Sequence, residues 1–386
     1  MLLFEHDAKE LLAIQRVPVA GGIRLERVQG PEVTPSDEPS GPWVVKPQVL
    51  GGTPNLAAHV VTARSQAEIS EAAASLLNSR IDGRTVHCVW IERKFEATAQ
   101  TSLRFECDPP SGGIRISLGP VVDASDSRHG AEGEEQSLNV MPDPIAVIAG
   151  VNRLAASLSG PAHDCIVEAG KMLSPLYFGY EATLMEIAPF MLLPDGGWIV
   201  GDVRLAIDEK ALFRHPELLS LVERHETAYR EVRERRHYGV NECPVDPDGT
   251  VAAVAAGIGH GSFLIDELKE RGLSPYCLMA AGVSALNQSE HAACHILGRL
   301  DDVPSVRCLM ASITGDMVDL PQVARHFSTA LSERDSRPVP IVMRLIGDDA
   351  DEAKAILREA APSILLEDRL DTAVDALIES VMEGVS

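Results

Sequence analysis

Val251-Ala252-Ala253-Val254-Ala255-Ala256, followed at once by Gly257-Ile258-Gly259-His260-Gly261, is the stretch on which the architecture turns. It is an apolar run that ends in glycines and gives way to helical spacing, with Phe263, Leu264 and Leu268 inside Ser262–Arg271. That is the form of a buried strand, a tight turn and a covering helix. The unit recurs down the chain. Tyr276–Ala280 reads as a strand and Glu290–Leu300 as its helix. Val306–Ala311 reads as a strand ending in Ser312-Ile313-Thr314-Gly315-Asp316, with Leu320–Leu331 helical. Val339–Leu345 and Asp351–Glu359 repeat the pair, and Ser363–Leu366 with Asp371–Met382 closes it. Short apolar runs alternating with longer amphipathic segments predict βαβ units on a parallel sheet buried on both faces. The crossovers should be right-handed.

Ligands on such sheets sit at the carboxyl ends of strands. Two loops fall there, Gly257–Gly261 and Ser312–Asp316. Gly257, Gly259, Ser312, Thr314 and Gly315 are therefore candidates for holding a phosphate or an acidic substrate, through N–H groups at a helix start. Glycines that simply permit tight strand-to-helix turns give the same pattern, and both readings stay open. His260 lies in the first loop, as an incidental turn residue. The turn-rich Asn241-Glu242-Cys243-Pro244-Val245-Asp246-Pro247-Asp248-Gly249 reads as a linker. The domain boundary is placed there, with 241–250 as linker and 251–386 as the parallel α/β domain.

The front two thirds are less regular. Glu5–Gln15 is helical, with Ala8, Leu11, Leu12 and Ile14 on a broad apolar face, Lys9 and Glu10 on the polar side, and Pro18 beyond. Gly41–Val49 reads as a strand that carries Lys46, Gly51-Gly52-Thr53-Pro54 as a turn, and His59–Ala63 as further strand. Gln66–Leu77 suits a helix and Thr85–Glu92 a strand. Asp123–Glu135 reads as a mobile loop, and Ile145–Leu158 and Ala162–Tyr177 as helices. Ala182–Phe190 and Trp198–Leu205 look like strands joined by Pro194-Asp195-Gly196-Gly197, and Glu223–His237 like one long solvated helix. A lysine inside an apolar strand needs a counter-charge: either a ligand phosphate, or water reached by snorkelling at a sheet edge. Glu186 and Asp202 end strands that face each other if the 194–197 turn closes. Such carboxylates suit Mg²⁺ carrying nucleotide phosphates, or pair with arginines such as Arg204.

Composition bounds the function. The chain has 386 residues, enough for two or three domains. Its 34 basic and 57 acidic residues give a net charge of −23, which argues against nucleic acid and anionic membrane as partners. No apolar stretch approaches a membrane span, and Glu5 stands where a signal peptide needs bases, so a cytoplasmic location is expected. The seven cysteines form no C-x-x-C pair and read as reduced, mostly buried thiols.

Together these positions resemble one known family. Leu3-Phe4-Glu5-His6-Asp7-Ala8-Lys9-Glu10-Leu11-Leu12 and Val17-Pro18-Val19 are similar to the amino-terminal signature of the ADP-forming succinyl-CoA synthetase β subunits. Gly41-Pro42-Trp43-Val44-Val45-Lys46-Pro47-Gln48-Val49 resembles that family's nucleotide-binding strand, and Glu186-Ile187-Ala188-Pro189 its Glu-Ile-Asn-Pro motif. Asp202 followed by Ala211-Leu212-Phe213-Arg214-His215-Pro216-Glu217-Leu218 resembles the segment that carries its second metal ligand. The two glycine loops fall where the family has its own.

The resemblance implies an α/β protein with a two-lobed ATP-grasp domain over 1–240 (small lobe roughly 20–95) and a flavodoxin-like CoA-ligase domain over 251–386. It implies ATP, Mg²⁺ and an α-type partner subunit that brings CoA and a phosphorylated histidine, assembled as a heterotetramer or homodimer. By position, Lys46, Gly51 and Gly52 would meet the nucleotide phosphates and Glu92 would lie near the adenosine. Asp202 would hold Mg²⁺, Glu186 would act on the partner's histidine, and the Ser312–Gly315 turn would meet the phosphate.

The departures cluster at the chemistry. The family's Gly-Gly-Arg-Gly-Lys-Ala-Gly-Gly stretch is Gly51-Gly52-Thr53-Pro54-Asn55-Leu56-Ala57-Ala58 here, without either base. Its metal-binding Asn is Ala188, which removes a hard ligand and weakens the Mg²⁺ site. An acid is replaced by Gln100 and an Asn by Ala256, and Phe-Gly-Gly-Ile-Val-Arg becomes Thr314-Gly315-Asp316-Met317-Val318-Asp319. Cations over phosphates stabilise transferring charge, and acids near the second loop oppose an anion. The expectation is therefore a β-type subunit of an ATP-dependent carboxylate–CoA ligase for an acid other than, or in addition to, succinate. A catalytically degenerate scaffold or regulatory paralogue is one alternative. An ATP-grasp ligase using a nucleophile other than CoA is the other.

Overall fold

Alternate residues of one six-residue strand enter two different cores, and this organises the carboxyl-terminal part of the chain. Ala252 and Val254 belong to one apolar cluster, while Val251, Ala253 and Ala255 belong to the other. A strand covered on both faces has no polar side to show, hence its Val/Ala composition. The computed structural model describes residues 1–26, 41–50, 56–77, 79–123, 134–224, 229–315, 317–334 and 339–383. Gly51, Gly52, Asp316 and most of the expected 123–135 loop lie outside them. The chain divides into two compact units, Met1–Ala228 and Tyr229–Ser386.

The first unit opens with α1 (Glu5–Ile14), then β1 (Gly22–Leu25), β2 (Trp43–Gln48), β3 (Val61–Ala63) and α2 (Gln66–Leu77). A small hairpin follows, β4 (Arg80–Ile81) and β5 (Arg84–Thr85), then β6 (Cys88–Arg93). The order β1-β6-β2-β3 makes an antiparallel four-stranded sheet. Val45, Val89 and Ile91 pack from it onto Ile69, Ala73 and Leu76 of α2. Next come β7 (Ala99–Asp108), β8 (Gly113–Leu118), β9 (Val122–Asp123), β10 (Gln136–Val140), α3 (Pro144–Ala155), α4 (Pro161–Gly179), β11 (Ala182–Leu192), β12 (Trp198–Val200), β13 (Val203–Ile207) and α5 (Pro216–Arg224). A seven-stranded antiparallel sheet runs β10-β8-β7-β11-β12, with β13 also on β11 and β9 on β7. The Asp195 carboxylate accepts the Gly197 N–H and Gly196 takes φ +85°, so the 194–197 turn closes β11 onto β12 as expected.

The second unit contains α6 (Arg230–Tyr238), β14 (Val240–Pro244), β15 (Val251–Ala256), α7 (Ile258–Glu270), β16 (Pro275–Ala281), α8 (Val283–Gln288) and α9 (His291–Asp302). It ends with β17 (Cys308–Thr314), α10 (Leu320–Ser332), β18 (Ile341–Ile346), α11 (Ala350–Ala360), β19 (Ile364–Glu367) and α12 (Leu370–Glu383). The sheet order is β14-β16-β15-β17-β18-β19, parallel except for β14. Leu286, Ile296, Phe327 and Leu357 cover one face, and Leu264, Leu268, Val374 and Leu377 the other.

Three expectations differ. The segment read as a linker supplies β14, which pairs antiparallel with β16 and buries Val240 in the core. An edge strand tolerates the polar residues and terminal Pro244 that suggested a loop. The expected 223–237 helix is not continuous: Tyr229, inside that range, takes φ +55° just before α6 begins at Arg230. Ile14, placed on the buried face of α1, is exposed, while Lys9, placed on the polar side, is buried.

Gly239 caps α6 at φ +65°, and a Cβ built there would lie 2.4 Å from Ala285 Cβ. Gly239→Ala is expected to destabilise the second unit by about 2 kcal/mol. The check is a lower urea midpoint at unchanged m-value.

Candidate functional site

A cleft of about 560 Å³ opens between the two sheets of the first unit. Val44, Lys46 and Glu92 line it from β2 and β6, and Ser102, Ala188 and Asp202 from the seven-stranded side. Lys46 and Asp202, far apart in sequence, therefore face one space.

Behind Lys46 lies a buried square of charges. The Lys46 Nζ is 2.6 Å from Glu5 Oε1 and 2.7 Å from Glu92 Oε1, and donates to the Gly201 carbonyl at 2.7 Å. The Lys9 Nζ meets the same groups: Glu5 at 2.8 Å, Glu92 at 2.6 Å and the Gly201 carbonyl at 2.9 Å. The Trp90 indole N–H adds 2.7 Å to Glu92. Each ammonium has three donors, and each finds three oxygens. Lys9 is only 1% exposed. Helical periodicity hides it, because the polar side of α1 is turned toward these carboxylates. The one local signal was the Glu5–Lys9 spacing of four, which pairs charges on a helix.

Burial alone would raise the Glu5 carboxyl, but the Lys46 and Lys9 ammoniums hold it down at about 2. Burial works against the Lys46 charge too. Glu5, Glu92 and Asp202 outweigh it and lift its pKa above the usual lysine range. Asp202 goes the other way: burial, then the Glu5 carboxylate, push it up to about 7 against the pull of the two lysines. One Asp202 oxygen already accepts the Val203 N–H at 2.7 Å.

Glu186 lies one step along the sheet. Residues two apart on a strand share a face about 7 Å apart, so Glu186 is the next position after cleft-lining Ala188. Its neighbours are arginines on both sides, since the register sets Glu186 opposite Arg104 of β7 and Arg204 of β13. Arg204 donates to Glu186 at 3.0 Å, and Arg104 pairs with Glu106 on its own strand. Arg104 is a residue the sequence did not single out, because its strand carries no family motif. Asp202 and Glu186 are thus near, not joined. Among the described residues no group of three or more His, Cys, Asp or Glu is arranged to hold a metal ion. Mg²⁺ commonly needs only one or two carboxylates when nucleotide phosphates complete its shell, and Asp202 at the cleft wall fits that limited role.

The second unit keeps only part of its expected anion loops. Ser312 and Thr314 are not loop residues but continue β17, whose ladder with β18 runs through Thr314 opposite Ile346. Ser312 is fully buried. The Gly315 N–H is spent on the Ile346 carbonyl and the Gly257 N–H on the Ala281 carbonyl. At the start of α10, the Asp319 carboxylate accepts the Gln322 N–H at 3.0 Å, filling the place an anion would take. Gly257 (φ +86°) starts α7, which has no side-chain cap, and Gly259 lies in its first turn. His260 has a defined contact: its Nε2 lies 2.8 Å from the Ser312 Oγ, which accepts from Arg344 at 3.2 Å. Burial, then Arg344, lower the His260 pKa, favouring the neutral ring. This cluster stands at the carboxyl ends of β15, β17 and β18.

No protein-family profile matches the chain. The β subunit of ADP-forming succinate–CoA ligase from Bradyrhizobium diazoefficiens is 26% identical over 407 aligned residues, covering 100% of both chains. The Chloroflexus aurantiacus subunit is 29% identical over 380, covering 93% of this chain and 94% of its own. The chain is similar to this β-subunit family along its whole length. Among solved structures, ATP citrate lyase from Methanothrix soehngenii, in complex with citrate and coenzyme A, superposes with a TM-score of 0.73 at 17% identity, covering 99% of each chain. The fold is that of an ATP-grasp unit followed by a flavodoxin-like parallel α/β unit of the CoA-ligase type. Among the described residues, no helix is long and apolar enough to cross a membrane.

Lys46→Met would leave Glu5 and Glu92 sharing one ammonium. The expected cost is roughly 3 kcal/mol, largely recovered in the Lys46→Met/Glu5→Gln double variant, by urea denaturation. The acid limb gives a second reading. The folded Glu5 pKa is about 2 against an ordinary 4.5. Its stabilisation is complete above pH 4.5 and is lost as pH falls toward 2. Glu5→Gln should flatten stability across that window; an unchanged slope would show that Glu5 is not the titrating group.

Proposed function

We propose that the chain is the β-type subunit of an ATP-dependent, ADP-forming carboxylate–CoA ligase, binding Mg·ATP in the cleft of its first unit. The observation that carries this reading is the shared cleft of Lys46 and Asp202, 156 residues apart in sequence, in a chain similar end to end to such β subunits. Lys46 would take the nucleotide phosphates, with Gly51 and Gly52 close by in sequence, and Glu92, which pairs with the Lys46 ammonium, would lie near the adenosine. Asp202 would hold Mg²⁺, a weakened site because Ala188 offers no ligand. Bound Mg²⁺ supplies charge neutralisation between the phosphates.

Glu186 would orient a histidine of an α-type partner that accepts the phosphoryl group and brings CoA. The phosphoryl group would then pass from that histidine to the acid's carboxylate, and the CoA thiol would displace it as inorganic phosphate, forming the thioester. An acid other than, or in addition to, succinate follows from the altered second loop, where Asp319 caps its own helix. His260, Ser312 and Arg344 would read such an acid, with Gly257, Gly259, Thr314 and Gly315 shaping the carboxyl end of the sheet around them. The pairing with an α-type subunit, as heterotetramer or otherwise, belongs to the same proposal, as does a cytoplasmic setting.

One observation favours the scaffold reading: Lys46 is already bound by two carboxylates and a carbonyl, and the 51–58 segment has no base. Calorimetry separates the two. Mg·ATP should bind the purified chain, and Asp202→Ala should weaken it. With the partner present, Glu186→Gln should lower acid-dependent ADP release by about 100-fold at unchanged ATP affinity. No heat of binding at millimolar Mg·ATP would leave only the scaffold.

A further inference from the structure

We propose that Arg104 is the cation that meets the γ-phosphoryl group of the bound nucleotide, in place of the bases missing from the 51–58 segment; this rests on the Mg·ATP reading above. A phosphoryl group needs positive charge beyond Mg²⁺ where it is transferred. In the cleft, Lys46 is held by Glu5 and Glu92. Arg104 stands in the row next to the cleft wall: Ser102, two residues before it on β7, lines the cleft, and the register sets Arg104 directly opposite Glu186. Two strand residues span about 7 Å, within reach of an extended arginine.

The side chain is provided for, not free. Arg104 pairs with Glu106, while Arg204 pairs with Glu186 from the other flank. Yet the Arg104 Nε is buried and makes no hydrogen bond. That buried N–H holds no competing partner, so only the contact with Glu106 keeps the guanidinium where it rests; once released, its planar fork of terminal nitrogens suits two phosphoryl oxygens. Glu106 then acts as the resting partner of Arg104 and holds it on the open face of the sheet until a stronger anion arrives.

A cross-strand ladder of opposite charges would look the same at rest, and the sign of two substitutions separates the two roles. Calorimetry on the full chain with Mg·ATP and Mg·ADP reads the ATP/ADP affinity ratio. Arg104→Ala should weaken ATP about tenfold and leave ADP unchanged, Arg104→Lys should fall between, and Glu106→Gln should raise the ratio above wild type. A purely structural ladder moves Arg104→Ala and Glu106→Gln in the same direction, for both nucleotides alike. That result, or an unchanged ratio in a variant with wild-type thermal stability, overturns the role of Arg104 while leaving the nucleotide site standing. If neither nucleotide binds the wild type, the Mg·ATP reading falls and this inference falls with it.

Discussion

Two ammoniums locked between two carboxylates hold the first unit together. Lys9 comes from α1, Lys46 from β2, Glu92 from β6, and the Gly201 carbonyl from the seven-stranded side, so one cluster links the helix to both sheets. Buried ions are costly to desolvate, and a pair of them often stabilises no more than packed hydrocarbon would. Glu5 and Glu92 balance the lysines, but Asp202 adds a third carboxylate and leaves one negative charge in excess. That excess, with burial, is why Asp202 is pushed up to about 7. A cleft wall in this state is electrostatically better suited to a cation at Asp202 than to a bare phosphate.

The parallel sheet was legible because burial on both faces leaves no polar periodicity, and Val251–Ala256 shows none. The elements that escaped are those whose environment is set by distant partners. β14 has the composition of a loop because it is an edge strand. Lys9 sits on the polar side of its helix in sequence and inside the protein in space, since Glu92, 83 residues away, is what covers it. Local pattern reports which side of a helix is charged, not whether that charge faces water.

The candidate site divides the same way. Lys46, Glu92 and Asp202 were legible through short motifs, and they converge. The glycine loops left two readings open, amides free for an anion or glycines that permit tight turns, and the sheet takes up the Gly257 and Gly315 N–H groups. Glycine next to a strand end records a backbone constraint, and only the neighbouring ladder decides whether an N–H is left over. What the second unit does present is a side-chain cluster, in which a buried serine hydroxyl joins an imidazole to a guanidinium. Nothing in the spacing of His260, Ser312 and Arg344 announces it, because three separate strand ends bring them together.

Where the positive charge comes from then becomes the central question. A basic glycine loop delivers cations on a backbone that must be ordered each time it closes, at a conformational cost. Side chains on adjacent strands need no such ordering, since neighbours hold them in register before any ligand binds. The row formed by Arg104, Glu186 and Arg204 has that character, with its acid flanked by a base on each side. On the proposed reading, a chain without Arg or Lys at 51–58 but with two guanidiniums in the row around Glu186 would draw its positive charge from the sheet rather than from that segment.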